Sequence, residues 1–415
     1  MKIALSGLAA IAAAVLAAGC GSSSNSSNGS NTSSSGAASS NTSSTGASST
    51  AAAGGSSGKS CSAAIAIEGP FTGPVAQVGL EQLHFAQAAV KLDNAQLGTN
   101  ITLAQDDTQL TPSLATQKTQ AIISSKAVAT VGPAGSQEVQ AVGPLFGRAG
   151  MAFISGSATL PSLAGSANPT FFRVVPDDNI QGPQDANYAI KHLHPKQVLV
   201  IDDDEAYSQG LAKTMIATFQ KAGIKVDHQT YNGTDTGATL ANALQSLVTS
   251  HVTSDTNVVM LPWQAAANAQ TFGEDLQQQK KQAVLFGTDG TNSPSQFKIP
   301  GTYVSAFGPD IAGSKSALNQ KILTAAKKFG PYGPFGVPTY EATDVAIRAI
   351  SSVCKAGQTP SRSNVLAAMK KTNIAASDNP LGVKVAFQSN GDLVGSPGYL
   401  FKIEKDGTYK EIPPK

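Results

Sequence analysis

The 415-residue sequence has few cysteines and few charged residues, and each shortage excludes a class of protein. Three Cys exclude a disulfide-dense scaffold and a cysteine-rich metal cluster. Charged residues make up 13% of the chain and the formal net charge is +2, so no broad basic surface for nucleic acid or anionic lipid is expected. No apolar run reaches the roughly 20 residues of a membrane-spanning helix, which argues against a multi-pass carrier.

The common motifs of enzymes and metal sites are missing from the sequence as well. We find no HExxH, no CxxC, no Walker loop and no GxGxxG after a predicted strand. The acidic run from Asp202 to Glu205 lacks the spacing of a calcium loop and is interpreted as a solvated turn at a strand end. The five His form no Ser–His–Asp arrangement at strand ends. We therefore expect no enzyme, no cofactor and no metal site.

Residues 1–20 have the pattern of a secretory signal. A basic start is followed by an apolar run from Ile3 to Ala18 and by small residues before Cys20. The segment from Leu16 to Cys20 resembles the bacterial lipobox, although Leu16 is one position farther from the cysteine than usual. The resemblance implies a lipid anchor on Cys20. The alternative is an ordinary secretory signal in which Cys20 has no role.

Residues 21–60 are predicted to be a flexible tether. From Gly21 to Gly58 only Gly, Ser, Asn, Thr and Ala occur, and these residues cannot form a hydrophobic core. Such a segment suits a folded unit held just off a membrane surface.

The remaining chain alternates short β-branched runs with helical stretches, which predicts parallel sheets covered by helices on both faces. The predicted strands are Ala63–Ile67, Ile101–Gln105, Val128–Val131, Met151–Ser155, Phe171–Val175, Gln197–Asp202, Lys225–Thr230, Asn257–Leu261, Ala283–Phe286 and Tyr303–Phe307. A helix over Ser208–Ala222 has Leu211, Met215 and Phe219 on one stripe. The strand count and chain length favour two doubly wound α/β lobes over one large sheet.

The chain is expected to cross between the lobes near Arg173–Asp178 and near Gly308-Pro309, with late β structure over 386–409. We therefore predict an N-terminal lobe of residues 61–176 and 309–385 and a C-terminal lobe of residues 177–308 and 386–415. A hinge of several crossing segments joins them.

Ligands of open parallel sheets bind beyond the carboxyl ends of the strands, so candidate site residues are sought there. Ser136 opens a predicted helix, whose N–H groups suit an anion; the alternative is a plain N-cap. Ser157 and Thr159 can donate to a carboxylate, or form only a polar turn. Asp289 can neutralise an ammonium, or be a turn residue before a glycine. Trp263, the one Trp, can cover a ligand or pack in a core.

Together these segments resemble the type I periplasmic binding proteins, in particular the leucine/isoleucine/valine-binding branch. The resemblance covers residues 61–415 and rests on several short matches. They are the run from Gly69 to Gly79, Gln105–Thr108 with Pro112, Gly135-Ser136, Ser157-Ala158-Thr159, Phe172-Arg173, and Asp203 to Gly210 with Tyr207. Two departures stand out: Val78 replaces a frequent aromatic, and Asp289 replaces a longer acid.

The resemblance implies an extracytoplasmic substrate-binding component of an ABC importer. It implies that two lobes close around an amino acid, aliphatic or branched-chain, and present it to a membrane permease. The implied ligand residues are Ser136, Ser157 and Thr159 at the carboxylate, and Asp289 with a backbone carbonyl near Ser157 at the ammonium. Trp263 would cover the ligand, Tyr207 and Tyr340 would line the cleft, and Ala158 is included as a ligand-binding residue. The protein is expected to be monomeric and to bind no nucleic acid. A receptor for amides, urea-like compounds or small organic acids is the alternative.

The two remaining cysteines are predicted to form a disulfide. If Tyr340 lies at the cleft, as the resemblance implies, the helix beginning there runs away from the cleft. Cys354 at its end then reaches the opposite edge, where the strand after Cys61 begins. An oxidising compartment favours the bond. The alternative is two unpaired buried thiols.

Overall fold

The computed structural model describes residues 61–395 and 398–413. The signal segment, the lipid anchor on Cys20 and the tether lie outside these residues. Within them, every helix is too short or too polar to serve as a membrane span.

Five parallel strands form the first sheet, in the order β2-β1-β3-β4-β5. They are β1 (Cys61–Gly69), β2 (Thr99–Asp107), β3 (Ala127–Val131), β4 (Ala152–Ser155) and β5 (Phe171–Arg173). β-Branched and other apolar residues fill β3 and β4 and are buried throughout, as expected for central strands with both faces covered.

The second sheet has seven strands in the order β14-β13-β10-β9-β8-β6-β7. Its parallel part comprises β6 (Gln197–Asp202), β7 (Lys225–Thr230), β8 (Thr256–Leu261), β9 (Val284–Gly287) and β10 (Tyr303–Ala306). A small pair, β11 (Asn373–Ile374) and β12 (Val385–Ala386), lies apart, and β13 (Tyr399–Ile403) and β14 (Tyr409–Ile412) add antiparallel strands. All predicted strands are present, and the prediction of two parallel-sheet lobes is confirmed.

Helices connect the strands and cover both faces of each sheet. They are α1 (Ala76–Leu97), α2 (Pro112–Ser124), α3 (Ser136–Arg148), α4 (Asp178–Leu193), α5 (Ala206–Lys221), α6 (Gly237–His251), α7 (Ala266–Gln278), α8 (Ala317–Ala326), α9 (Gly336–Lys355) and α10 (Arg362–Met369). In α5 the predicted stripe of Leu211, Met215 and Phe219 is buried.

The period-2 alternation of the strands divides each lobe's core between its two sheet faces. Ile65 and Ile67 join the cluster under α1 and α9, whereas Ala66 between them packs on the α2 and α3 side. In the second sheet, Leu199 and Ile201 pack on one face and Val198 and Val200 on the other.

The chain passes between the sheets after β5, after β10 and again before β13. The segment from Phe387 to Leu393 packs on the first core, and Asp392 there pairs with the buried Arg173 at 2.7 Å. The chain then enters the second sheet at β13.

The predicted Cys61–Cys354 disulfide is present and joins the start of β1 to the end of α9, with 5.7 Å between the Cα atoms. Since a strand and the helix packed on it run in opposite directions here, both cysteines lie at the sheet edge opposite the carboxyl ends of the strands. The two cysteines are 293 positions apart in the sequence, so the bond closes a long loop.

Candidate functional site

A cavity lies where the carboxyl ends of the parallel strands of both sheets meet. The first lobe contributes Pro70, Val75, Val78, Leu110, Ala134, Gly135, Ser136, Ser157 and Phe335, and the second contributes Tyr207, Gln264, Asp289 and Gly290. Four of the predicted site residues therefore meet at one cavity: Ser136, Ser157, Tyr207 and Asp289.

Asp289 follows β9 and is the one acid in the cavity lining. Its Oδ1 accepts hydrogen bonds from the Tyr207 hydroxyl and from Gln181 Nε2, both at 2.6 Å. Burial raises the pKa of Asp289 to about 6, and these hydrogen bonds oppose the rise. The carboxyl is therefore ionised at neutral pH and faces the cavity with a negative charge.

The loop that carries Asp289 packs tightly against the loop after β8. A Cβ at Gly290 would come within 2.2 Å of the Trp263 carbonyl oxygen, so only glycine fits there. Tyr207 contributes to the same arrangement, because the N–H of Gly290 donates to its hydroxyl oxygen at 3.3 Å. Contacts from Trp263 after β8 and from Tyr207 after β6 thus hold the loop of Asp289 in place.

Opposite Asp289, the N-terminus of α3 reaches the cavity through Gly135 and Ser136. The turn from β3 into α3 passes through Gly132 at a φ of +92°, where a Cβ would meet the Glu68 carbonyl oxygen at 2.1 Å. Glu138 accepts the Gly135 N–H at 2.8 Å, and burial raises the pKa of its carboxyl to about 7. The α3 N-terminus therefore brings Ser136 and the positive end of the helix dipole to the cavity, while its Gly135 N–H is already bonded to Glu138.

The Ser157 hydroxyl follows β4 and also lies at the first-lobe side of the cavity. It donates to the Ala134 carbonyl at 2.8 Å and accepts from Gln82 Nε2 at 2.9 Å. Ser136 Oγ accepts the Leu160 N–H at 3.3 Å, which leaves its own proton available as a donor. An anionic ligand group is therefore expected to bind Ser136 directly and Ser157 after a rotation of its hydroxyl.

The lobes touch beside the cavity. Gln137 of α3 donates from Nε2 to the Gln264 Oε1 of the second lobe at 3.1 Å. Four apolar side chains, those of Val75, Val78, Leu110 and Phe335, complete the wall. The cavity thus combines an acid on one side, donors on the other and an apolar wall, which suits a small zwitterion with an aliphatic part.

Trp263 does not line the cavity, contrary to its prediction as a ligand cover. Its side chain is fully buried in the second core, where Nε1 donates to the Ile201 carbonyl at 2.7 Å. Its ring packs edge-on against Tyr231 and Phe272. The alternative of a core tryptophan is correct, because the indole N–H finds a backbone partner inside the lobe.

Tyr340 is also in a core and not at the cavity. It is buried in the first lobe between α9 and α1, and its hydroxyl donates to Asp93 at 3.4 Å. Phe335, just before α9, takes the cavity position instead. The disulfide prediction holds nevertheless, because it needed only the start of α9 to lie at the cleft.

Ala158 and Thr159 turn away from the cavity. The Ala158 N–H donates to Ser155 Oγ at 3.0 Å, and its methyl group is in the first core. The Thr159 carbonyl accepts the Asp178 N–H at 3.1 Å; burial raises the pKa of Asp178 to about 7, and the Thr159 hydroxyl opposes that rise. Thr159 therefore supports the start of α4.

Gln264, Gln181 and Phe335 are site residues that sequence reasoning missed. Gln264 is one position after Trp263, and successive residues of an extended segment point to opposite sides. Among the described residues, no group of three or more His, Cys, Asp or Glu is arranged to hold a metal ion.

Comparison with known proteins agrees with this architecture. Residues 62–408 match the model of a protein family described as periplasmic binding protein. A leucine-, isoleucine-, valine-, threonine- and alanine-binding protein of Pseudomonas aeruginosa is 26% identical over 365 residues, which cover 84% of this chain and 91% of that protein.

Two solved structures share the fold. A branched-chain amino acid transporter substrate-binding protein of Streptococcus pneumoniae, in complex with isoleucine, has a TM-score of 0.72 at 21% identity and covers 85% of this chain and 100% of its own. A solute-binding protein of an ABC transporter of R. palustris, in complex with 4-hydroxybenzoate, has a TM-score of 0.71 at 17% identity and covers 85% and 96%.

Proposed function

The chain belongs to the periplasmic binding protein family, and on this premise we propose that it binds an amino acid between its two lobes and delivers it to the permease of an ABC importer. Proteins of this family act outside the cytoplasm. The named ligands of the relatives, leucine and isoleucine among them, support an amino acid with an aliphatic part.

One observation carries this proposal: an ionised acid and a set of donors face each other across one cavity. Asp289 of the second lobe is suited to the ligand ammonium, and Ser136 with the α3 N-terminus is suited to the carboxylate. A zwitterion is tolerated in a buried site only if both charges are paired and hydrogen-bonded. Because the partners come from different lobes, ligand binding favours the closed arrangement.

We propose the two sheets with their helices as the moving units. We keep the predicted lobe boundaries, except that the contacts of Phe387 and Leu393 with the first core favour assigning the segment before β13 to the first lobe. The lipid anchor on Cys20, the tether over residues 21–60 and a monomeric state complete the proposal. They would hold a closable receptor near a membrane permease.

The alternative receptor, for amides, urea-like compounds or small organic acids, is favoured by one observation. Asp289 Oδ1 already accepts two short hydrogen bonds, so part of the carboxyl is satisfied without an ammonium. The related fold with bound 4-hydroxybenzoate is consistent with such ligands.

A thermal-shift panel distinguishes an amino-acid receptor from a receptor for amides, urea-like compounds or small organic acids. The protein is unfolded and refolded to remove carried ligand and then melted with single L-amino acids, amides and organic acids. A ligand at 100 times its dissociation constant should stabilise the fold by roughly 2.7 kcal/mol. Shifts with aliphatic L-amino acids support the proposal, whereas shifts only with amides or organic acids contradict it.

The affinity for an amino acid is expected to fall as the pH drops below the pKa of Asp289. That pKa is raised to about 6, so the free protein takes up a proton there in acid. The ligand ammonium binds only the ionised Asp289 carboxylate. The affinity is therefore highest above the pKa of Asp289, and it falls by up to about tenfold for each pH unit below that pKa. Calorimetric titrations between about pH 5 and pH 8 measure the effect. Glu81 and Glu138, whose pKa values burial raises to about 7, titrate in both proteins, so an Asp289→Asn variant should give a shallower profile than the wild type. Equal profiles in the two proteins would contradict the assignment.

A further inference from the structure

A second, smaller chamber adjoins the ligand cavity. The two spaces share the wall residues Val75, Val78, Gln264, Gly290 and Phe335. A ligand in the first cavity can therefore extend into the second.

The far wall of this second chamber is polar and contains a buried acid. Glu81 of α1 is 2% exposed and lines the chamber beside Gln77. The second lobe contributes Asn292, Ser293 and Gln296 to the same wall. Of these, Gln296 is exposed and marks the mouth of the chamber.

Glu81 accepts hydrogen bonds from the Gln77 side chain and from the Phe335 N–H, the latter at 3.3 Å. Burial raises the pKa of Glu81 to about 7, and these two hydrogen bonds lower it. Each carboxylate oxygen has two acceptor sites, so one donor to each oxygen leaves capacity for a further partner.

The charges lining the two connected spaces are unbalanced. The described residues around them include the acids Glu81 and Asp289 and no Lys, Arg or His. An ordinary zwitterion supplies one ammonium, which Asp289 matches, and one carboxylate, which the α3 side matches. A second positive charge on the ligand would compensate Glu81, since a buried carboxylate without a charged partner is costly.

We propose that the second chamber receives a positively charged group at the end of the ligand side chain, with Glu81 as its partner, so that the preferred ligand is an amino acid with a basic side chain. This inference rests on the proposed function. The shared wall of Val75, Val78 and Phe335 suits the methylene stem of such a side chain, whose charged end then reaches the polar wall.

A purely structural role of Glu81 is testable because glutamine is nearly isosteric with glutamate. Glu81→Gln keeps a side-chain oxygen to accept the Phe335 N–H and removes the negative charge. The same change at exposed Glu274 of α7 is a matched control for the loss of one surface acid.

The decisive ligand pair is arginine and citrulline, which have nearly the same shape and differ in charge. Calorimetry on the wild-type protein should give at least about tenfold tighter binding of arginine, since a charge-assisted bond exceeds a neutral one by this margin. Glu81→Gln should reduce that preference to about twofold or less without weakening citrulline, and Glu274→Gln should preserve it.

Two results would overturn the inference: equal binding of arginine and citrulline by the wild-type protein, or an unchanged preference in Glu81→Gln. Binding of leucine shows whether only the inference about Glu81 fails or the proposed function fails as well. If leucine binds and arginine does not, only the inference fails. If no amino acid binds, the proposed function fails with it.

Discussion

Replacing Asp289 with alanine is expected to weaken amino-acid binding by about 100-fold or more, because it leaves the ligand ammonium buried without its charge partner. The change also frees the Tyr207 hydroxyl and Gln181 Nε2, which both donate to Asp289 in the intact protein. The dissociation constant is measured by calorimetry at about pH 7.5, above the pKa of about 6 for Asp289.

Asp289→Asn distinguishes the charge from the hydrogen bonds, since the amide oxygen can still accept from Tyr207 and Gln181. We expect it to lose most of the affinity but little stability. Asp204→Asn, an exposed acid of the same lobe, is the matched control and should bind as the wild type does. Wild-type affinity in Asp289→Ala would end the zwitterion assignment and favour the receptor for amides or organic acids.

Removing the Cys61–Cys354 disulfide is expected to lower stability strongly with little change in affinity. This is the reverse of the result expected for Asp289→Asn. The bond closes a loop with a sequence separation of 293 residues. The paired Cys61→Ser and Cys354→Ser substitutions should lower the free energy of unfolding by about 2–5 kcal/mol, mainly because the unfolded chain regains freedom. Urea unfolding measures the change.

Wild-type protein treated with a reductant is the control for packing changes at the two serines, and it should match the double variant. The dissociation constant should stay within about twofold, since the bond lies at the sheet edge away from the cavity. A double variant as stable as the oxidised protein would contradict the expectation. A large loss of affinity would indicate that the bond also positions the start of α9.

Much of the fold could be predicted from the sequence because the relevant signals are local. Short apolar runs such as Val198–Ile201 and the Leu211–Met215–Phe219 stripe specify a strand and a helix by their own periodicity. Parallel connections then bring the carboxyl ends of the strands to one edge. For that reason Ser136, Ser157 and Asp289, each just past a strand, were predicted correctly to lie together.

The wrong assignments concern the direction in which a side chain points. Trp263 and Gln264 are neighbours, yet only Gln264 lines the cavity, because the Ile201 carbonyl and the Phe272 ring hold the indole in the core. Tyr340 has the right chemistry on the right helix, but α1 covers it, and Phe335 occupies the cavity position. No local pattern distinguishes these pairs.

The sequence alone was sufficient for the order of strands and helices and for the strand ends that form the site, which follow from periodicity and from connectivity along the chain. The disulfide prediction also needed the family resemblance, which implied the end of the helix that lies at the cleft. Which side chains face the ligand, and the presence of a second chamber with Glu81 in its wall, depend on contacts between residues far apart in sequence. Those contacts form only when the two lobes fold and meet, so only the tertiary structure contains them.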